Sequence, residues 1–271
     1  MGRTILLRFR SIFLAAMLAM FCGTSPVAAE PLLEDPFGII GAAPTAIGGQ
    51  TLSFGLGYTR ARDGANRDLY GGVLEAEAGL LRGLDLRFAQ TLERGPAAPY
   101  PSDDAARVWG GLSQLGLRWQ FMEEEGWRPA MGVFGSVRTA YGETSGPSQS
   151  GQIIGLLSKT IIEGPRPLAL SLNAGWSELF NAVPRERAGR YEFAAGLAQS
   201  IGEDTSLGVR YLRNQQDRGE KDQNIVTAGL WHRLGGRGPI LAAGAGAGIG
   251  DDSPSFLVFV SAKWLFGAAA P

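Results

Sequence analysis

The sequence is poor in the residues that usually carry chemistry. It has one cysteine and one histidine in 271 residues, so no transition-metal site is expected, because such sites draw several ligands from Cys and His. The formal charge is −1, too weak a bias for a nucleic-acid partner. Beyond residue 30 no stretch reaches the ~20 consecutive apolar residues of a spanning helix, which excludes a helical membrane protein. With 45% hydrophobic and 19% charged residues, the chain is not a disordered one either, since disorder goes with few apolar residues and a large net charge.

Glycine, by contrast, is abundant. The chain has 40, about twice ordinary usage. Each interior Gly costs a helix roughly 1 kcal/mol, so a helical bundle is disfavoured. A β-rich protein of many turn-separated segments remains.

Residues 1–29 read as a secretory signal peptide. Arg3, Arg8 and Arg10 precede the short apolar run Ile12 to Phe21, and Val27-Ala28-Ala29 is a small-residue cleavage site before Glu30. The run is too short for an anchoring helix, and bulky Phe21 before Cys22 argues against a lipoprotein. Cleavage removes three of the 25 cationic residues and none of the 26 acids, leaving −4. The only cysteine leaves with it, so the mature chain has no disulfide and needs another source of stability. A closed sheet supplies one.

Residues 30–49 form an apolar leader punctuated by Pro and Gly, read either as a loose periplasmic extension or as a hatch in the barrel mouth. From Gln50 the chain alternates apolar with small or polar residues, the period of a strand with one apolar face. Twelve strands are predicted, near 50–61, 69–81, 84–94, 107–121, 128–141, 152–162, 167–178, 190–201, 204–214, 223–234, 239–249 and 255–266. Their length fits the ~9–11 residues of a tilted transmembrane strand. The connections alternate as in outer-membrane barrels, with short periplasmic turns and longer outer loops: Arg82-Gly83 is tight, 95–106 is long, Gly202-Glu203 is tight and 215–222 is long.

Amphipathic aromatic rings settle at the membrane–water boundary. Tyr58, Tyr70, Trp109, Tyr141, Trp176, Tyr191 and Tyr211 fall toward the predicted outer strand ends. Trp119, Trp127, Trp231, Trp264 and Phe266 fall toward the inner ends, and only Tyr100 sits in a loop. Leu52, Phe54, Leu56, Leu84, Leu86, Phe88, Leu115 and Leu117 share one face. The opposite face carries Glu75, Glu77, Asp85, Arg87, Glu93, Arg118, Arg138, Lys159, Glu192 and Arg210, with Gln114, Gln120 and Asn173. In a soluble sandwich those charges meet water. In a barrel they line the lumen, because Lys or Arg on the lipid side at mid-membrane costs roughly 2–4 kcal/mol. Twelve strands lie between the filled interior of about eight and the open channel of sixteen or more, so a narrow or partly occluded pore is expected. The segment 223–234 has no cleanly polar face.

Gly244, Gly246, Gly248 and Gly250 leave one face of the eleventh predicted strand bare, which permits close backbone approach or a bend. Their strict alternation, with no helix following, does not match a dinucleotide fingerprint. A barrel hydrolase needs a nucleophile beside a histidine. His232 is the only histidine, lies near a periplasmic strand end, and has no Ser or Asp at i±2, so it reads as structural and no catalytic residue is assigned. Asp251-Asp252 and Asp103-Asp104 in outer loops could hold Ca²⁺ loosely, though solvated loop charge is the commoner outcome.

The stretch GAGAGIGDDSPSFLVFVSAKWLF, residues 244–266, joins a Gly-rich penultimate strand, a polar Asp/Pro loop and a final aromatic strand. It resembles the outer-membrane transporter-like β-barrel family associated with phenol degradation (the MetA-pathway family), with a looser likeness over 50–266. The resemblance implies uptake of small, often aromatic or hydrophobic solutes, and it brings no catalytic residues. The chain departs from it by adding Gly267 to Pro271 after Phe266, the aromatic end that barrel-assembly machinery reads.

The expectation is therefore all-β: a signal peptide (1–29), a leader (30–49), one antiparallel transmembrane β-barrel of about 12 strands (50–266) and a short tail (267–271). Its place is the Gram-negative outer membrane, and its role passive uptake of small molecules without cofactor or metal. The expected partners are outer-membrane lipids and lipopolysaccharide, the assembly machinery and a small-molecule solute, not nucleic acid. The alternatives are an occluded structural barrel and a barrel lipid hydrolase.

Overall fold

The computed structural model describes residues 39–62, 68–96, 107–142, 147–182, 186–235 and 238–267. The signal peptide, the first part of the leader, Tyr100, Asp103-Asp104 and the tail past Gly267 lie outside these residues. Twelve strands follow one another: β1 (Gln50–Arg60), β2 (Asp68–Leu81), β3 (Leu84–Pro96), β4 (Arg107–Met122), β5 (Ala130–Gly142), β6 (Ser148–Ile162), β7 (Leu168–Leu179), β8 (Gly189–Ser200), β9 (Thr205–Asn214), β10 (Gln223–Arg233), β11 (Ile240–Gly248) and β12 (Phe256–Phe266). Each pairs antiparallel with its chain neighbours, and β1 pairs with β12 from Gln50↔Phe266 to Arg60↔Phe256. The sheet is a closed barrel with no free edge, so no backbone ladder is left unpaired.

The predicted strands match the observed ones to within two residues at nearly every end. The largest difference is β6, which begins at Ser148 rather than near 152. Ser148 to Gly151 read as loop because small polar residues have weak strand propensity. They are strand because the ladder with β5 continues through Val137↔Gly151 to Ala140↔Ser148.

Alternation sets the two faces. Phe54, Leu56, Leu115, Leu117, Trp119 and Phe121 are exposed on the outside, while their chain neighbours Arg118 and Gly116 turn inward and are buried. So large a continuous apolar exterior is not the surface of a water-soluble monomer. Followed along paired residues from Gln50 in β1 round the wall, the register climbs about 14 residues before it returns to β1, which corresponds to strands tilted by about 40°.

The barrel end at which β1 begins and β12 ends has the short turns and is called here the near end; the other is the far end. The register shifts at Gly79/Leu81, Gln120/Met122 and Thr160/Ile162 all lie at the near end, where bulges terminate pairing. At Gly83 the near-end turn requires φ +78°, which only glycine adopts without strain. The far-end loops are tied to one another by charge. Arg190 pairs with Asp217 at 2.5 Å, Arg213 with Asp222 at 2.8 Å, and Lys221 with Asp251. The Lys221 N–H also donates to Asp252, so both acids of this loop are engaged by one lysine.

The bare glycines of the wall are matched by bulky inward residues. A Cβ on Gly116 would meet the Phe134 ring at 2.5 Å, and one on Gly208 would meet Trp231 at 2.6 Å. Phe259 covers Gly244, Thr227 covers Gly246 and Ser253 covers Gly248. The alternation in β11 is thus a strip of close approach, which fits the glycine content of the chain.

Candidate functional site: the barrel lumen

The near half of the lumen is built on five charges from three adjacent strands. The Asp85↔Arg118 pairing puts both side chains on the inner face, where they are buried. Arg118 donates to Asp85 at 3.0 and 2.5 Å and reaches Glu77 at 3.4 Å. Arg87, opposite Glu77 in register, pairs with Glu75 at 2.9 Å and Glu77 at 3.5 Å. The result is a continuous alternating chain, Glu75–Arg87–Glu77–Arg118–Asp85. Desolvating charges is costly unless each is paired, and here each is.

A second, mostly uncharged network crosses β4 to β8. Gln114 donates to Ser136 at 2.8 Å and to Gln152 at 3.1 Å, and Gln152 donates to Glu192 at 2.5 Å. Glu192 passes over β7 because Gly175 offers no side chain; a Cβ there would meet Glu192 at 2.9 Å. Arg138 projects inward between Gln114 and Ser150, and its Nε is buried without a partner among the described residues. Arg210 donates to Thr227 at 3.2 Å. Glu93 faces the lumen opposite Gly71 and Gly110.

Lys159 is a correction. It shares its parity with exposed Ile153 and Ile161, outside the barrel, and its ammonium is held by Glu124 at 2.7 Å and the Gly126 carbonyl at 2.6 Å. The period-2 pattern is ambiguous here because Ile153 to Leu157 is apolar on both faces. Trp231 is the second correction. It does not join an outer aromatic ring but is buried inside, against Ala198, Ile240, Ala242 and Leu265. That explains why residues 223–234 show no cleanly polar face. The aromatics Tyr58, Tyr70, Trp109, Trp119, Tyr141, Trp176, Tyr191, Tyr211, Trp264 and Phe266 all share the outward parity of their strands. His232 also turns outward, and its Nδ1 lies 2.8 Å from the Thr205 hydroxyl at the near end.

Residues 39–49 run inside the barrel. Starting from β1, Gly48 and Gly49 bond to Gly79 of β2. The Thr45 N–H donates to Asp85 at 2.8 Å, its hydroxyl to Glu77 at 3.3 Å, and Arg118 donates to the Gly41 carbonyl at 3.1 Å. The Ala42 N–H donates to Ser158 at 3.1 Å. The Asn173 amide, oriented by its hydrogen-bond network, brackets Ile40 at 2.9 and 3.1 Å. Ile39 reaches Gly196 of β8. This strap therefore crosses from β2 to β8. Ile40 and Ala42 pack with Ala130, Phe134, Ile154 and Leu156, and burying each Ile contributes about 1.5–3 kcal/mol. The inward apolar patch on β5 and β6 is a feature that the sequence reading missed. Its signal was the run Ile153-Ile154-Gly155-Leu156-Leu157, apolar on both faces, which calls for a cover inside as well as outside.

No family model matches the chain, and no curated protein matches it. Among solved structures it is similar to KdgM porin, at 7% identity over 79% of this chain and 98% of that chain, with a TM-score of 0.50. It is also similar to the transport unit of the autotransporter AIDA-I from Escherichia coli, at 11% identity over 87% of this chain and 93% of that chain, with a TM-score of 0.48. The porin likeness is one of fold. It agrees with the coarser part of the resemblance drawn from residues 244–266, a β-barrel fold, while the phenol-degradation family itself has no matching model. The fold is a closed antiparallel β-barrel of twelve strands, similar to that of a porin.

Proposed function

We propose that the chain is a passive channel for small solutes in the Gram-negative outer membrane, with its near end in the periplasm. The observation that carries this reading is the closed wall itself, apolar outside and ionised inside. Lipid and lipopolysaccharide would meet the outward aromatics, and the charged lumen would carry the solute. The strap narrows the periplasmic half of the bore. The aromatic or hydrophobic solutes implied by the family resemblance are the finer part of the proposal.

The test is conductance in planar bilayers, comparing the mature chain with a variant lacking residues 30–48. Stepwise currents are expected from both, larger from the variant. No steps from either would refute the channel, and equal steps would remove the strap from its mechanism. The occluded structural barrel is a second reading, favoured by the same strap. It predicts a silent parent and a conducting variant.

A further inference from the structure

The far half of the lumen contains a cavity of about 360 Å³ between β12, β1, β2 and β3, within the ~300–1,000 Å³ of ordinary small-molecule sites. Neither the ion-pair chain nor the strap fills it. We propose that this cavity binds a small organic cation, a protonated amine on an apolar or aromatic body. The proposal rests on the channel reading only for how the ligand arrives.

The space is left by Gly57 and Gly71, both on the cavity wall. A Cβ at Gly57 would meet only the Val258 carbonyl, at 3.7 Å; one at Gly71 would meet Leu92 O at 3.7 Å and the Glu93 Cβ at 3.9 Å. Neither has positive φ. Neither glycine is therefore required by backbone conformation or close packing, unlike Gly244 beneath Phe259. Their bare Cα atoms leave the volume open; Leu69, Val73 and Phe259 give the wall apolar surface, and Ser53, Thr59, Thr91 and Ser261 add hydroxyls.

The charge of the wall sets the ligand. Its ionisable side chains are Glu75 and Glu93. Glu75 is already held by Arg87 at 2.9 Å. Glu93 makes no hydrogen bond or ion pair with the described residues, and its side chain lies 4.0 Å from the Gly110 position. Glu93 is exposed to the open lumen, and a carboxylate without a protein partner there favours a cation, because an N⁺–H···O⁻ bond is about twice as strong as a neutral one. A cation is also attracted by an aromatic face. An anion would meet two carboxylates, and a neutral solute would gain no ion pair from Glu93.

The test is calorimetric titration of the mature chain in non-ionic detergent with benzylammonium, benzyl alcohol and benzoate. Benzylammonium should bind measurably and the other two at least tenfold more weakly. Glu93→Gln should weaken benzylammonium about tenfold, and Gly57→Leu should do the same by filling the cavity; both variants should keep the heat-modifiable gel migration of a folded barrel. Equal binding of all three ligands, no binding of benzylammonium, or unchanged affinity in folded Glu93→Gln would overturn the proposal. Planar bilayers separate the two readings. Benzylammonium binding by a barrel that passes no current keeps this site and refutes the channel, whereas a conducting barrel indifferent to benzylammonium keeps the channel and refutes this site.

Discussion

Replacing Arg118 with Met keeps the length of the stem and removes the guanidinium at the centre of the near-half charge chain. Three acceptors lose it at once: Asp85, contacted at 3.0 and 2.5 Å, Glu77 at 3.4 Å, and the Gly41 carbonyl of the strap at 3.1 Å. The Asp85 side chain is 0% exposed and that of Glu77 is 11% exposed, so water does not take over. Breaking a buried pair from one side costs about 3–5 kcal/mol, and we expect a loss in that range. The assay is urea unfolding in phosphatidylcholine vesicles followed by tryptophan emission, with the stability read from the linear extrapolation. The double variant Asp85→Asn, Arg118→Met removes the stranded charge as well. It should recover about 2 kcal/mol relative to the sum of the two single losses, as residues of one network couple by about 0.5–3 kcal/mol. A loss below about 1 kcal/mol in Arg118→Met, or strict additivity in the double variant, would refute the idea that this chain is a dry, mutually dependent unit.

The close-approach account of the glycines is checked by a pair of substitutions in the same wall. Gly116→Ala, whose Cβ meets the Phe134 ring at 2.5 Å and the Gly135 carbonyl at 2.8 Å, should cost about 1–3 kcal/mol. Gly135→Ala, with nothing within 4 Å, should be neutral or slightly stabilising, and equal urea midpoints would defeat the argument. At the near-end turn, burial works against ionisation of Glu124, but hydrogen bonds from Lys159 and the Thr160 N–H outweigh it, and the carboxyl is held below its ordinary value. A folded value below the unfolded one gives stability that is present above the ordinary carboxylate range and is lost as pH falls through the folded value. Glu124→Gln should therefore show a shallower loss of stability on acidification than the parent, and parallel pH profiles would show the contact to be inert.

The wall was legible because strand alternation is a local property. β1, for example, reads as Leu52, Phe54 and Leu56 outward with Ser53 and Gly55 inward before any partner is known. Nine of the ten charged residues assigned to the lumen face from the pattern lie on the inner parity of their strands. Lys159 does not, because Ile153 to Leu157 is apolar on both faces and the parity could not be read across it. Trp231 escaped for the converse reason, since a tryptophan near a strand end looks like an interfacial ring until its cover of Gly208 is seen. The strap was visible only as an apolar leader with two possible places. Nothing within residues 39–49 states that their partners are Asp85, Arg118, Ser158 and Asn173.

From the sequence alone came the class of fold, the number of strands, the greasy and the ionised faces, and the end at which the tight turns lie. All follow from a two-residue period and from turn chemistry, which act between neighbours in the chain. Only the tertiary structure decided which inward groups meet. Gln152 reaches Glu192 across 40 residues because a glycine lets it pass over β7, and the strap finds its seat because closure brings β2, β4, β6 and β7 around one bore. The cavity beside Glu93 belongs to the same class of fact. It exists because the register sets two glycines of adjacent strands, Gly57 and Gly71, opposite each other, and register is a property of the closed wall and of no single strand.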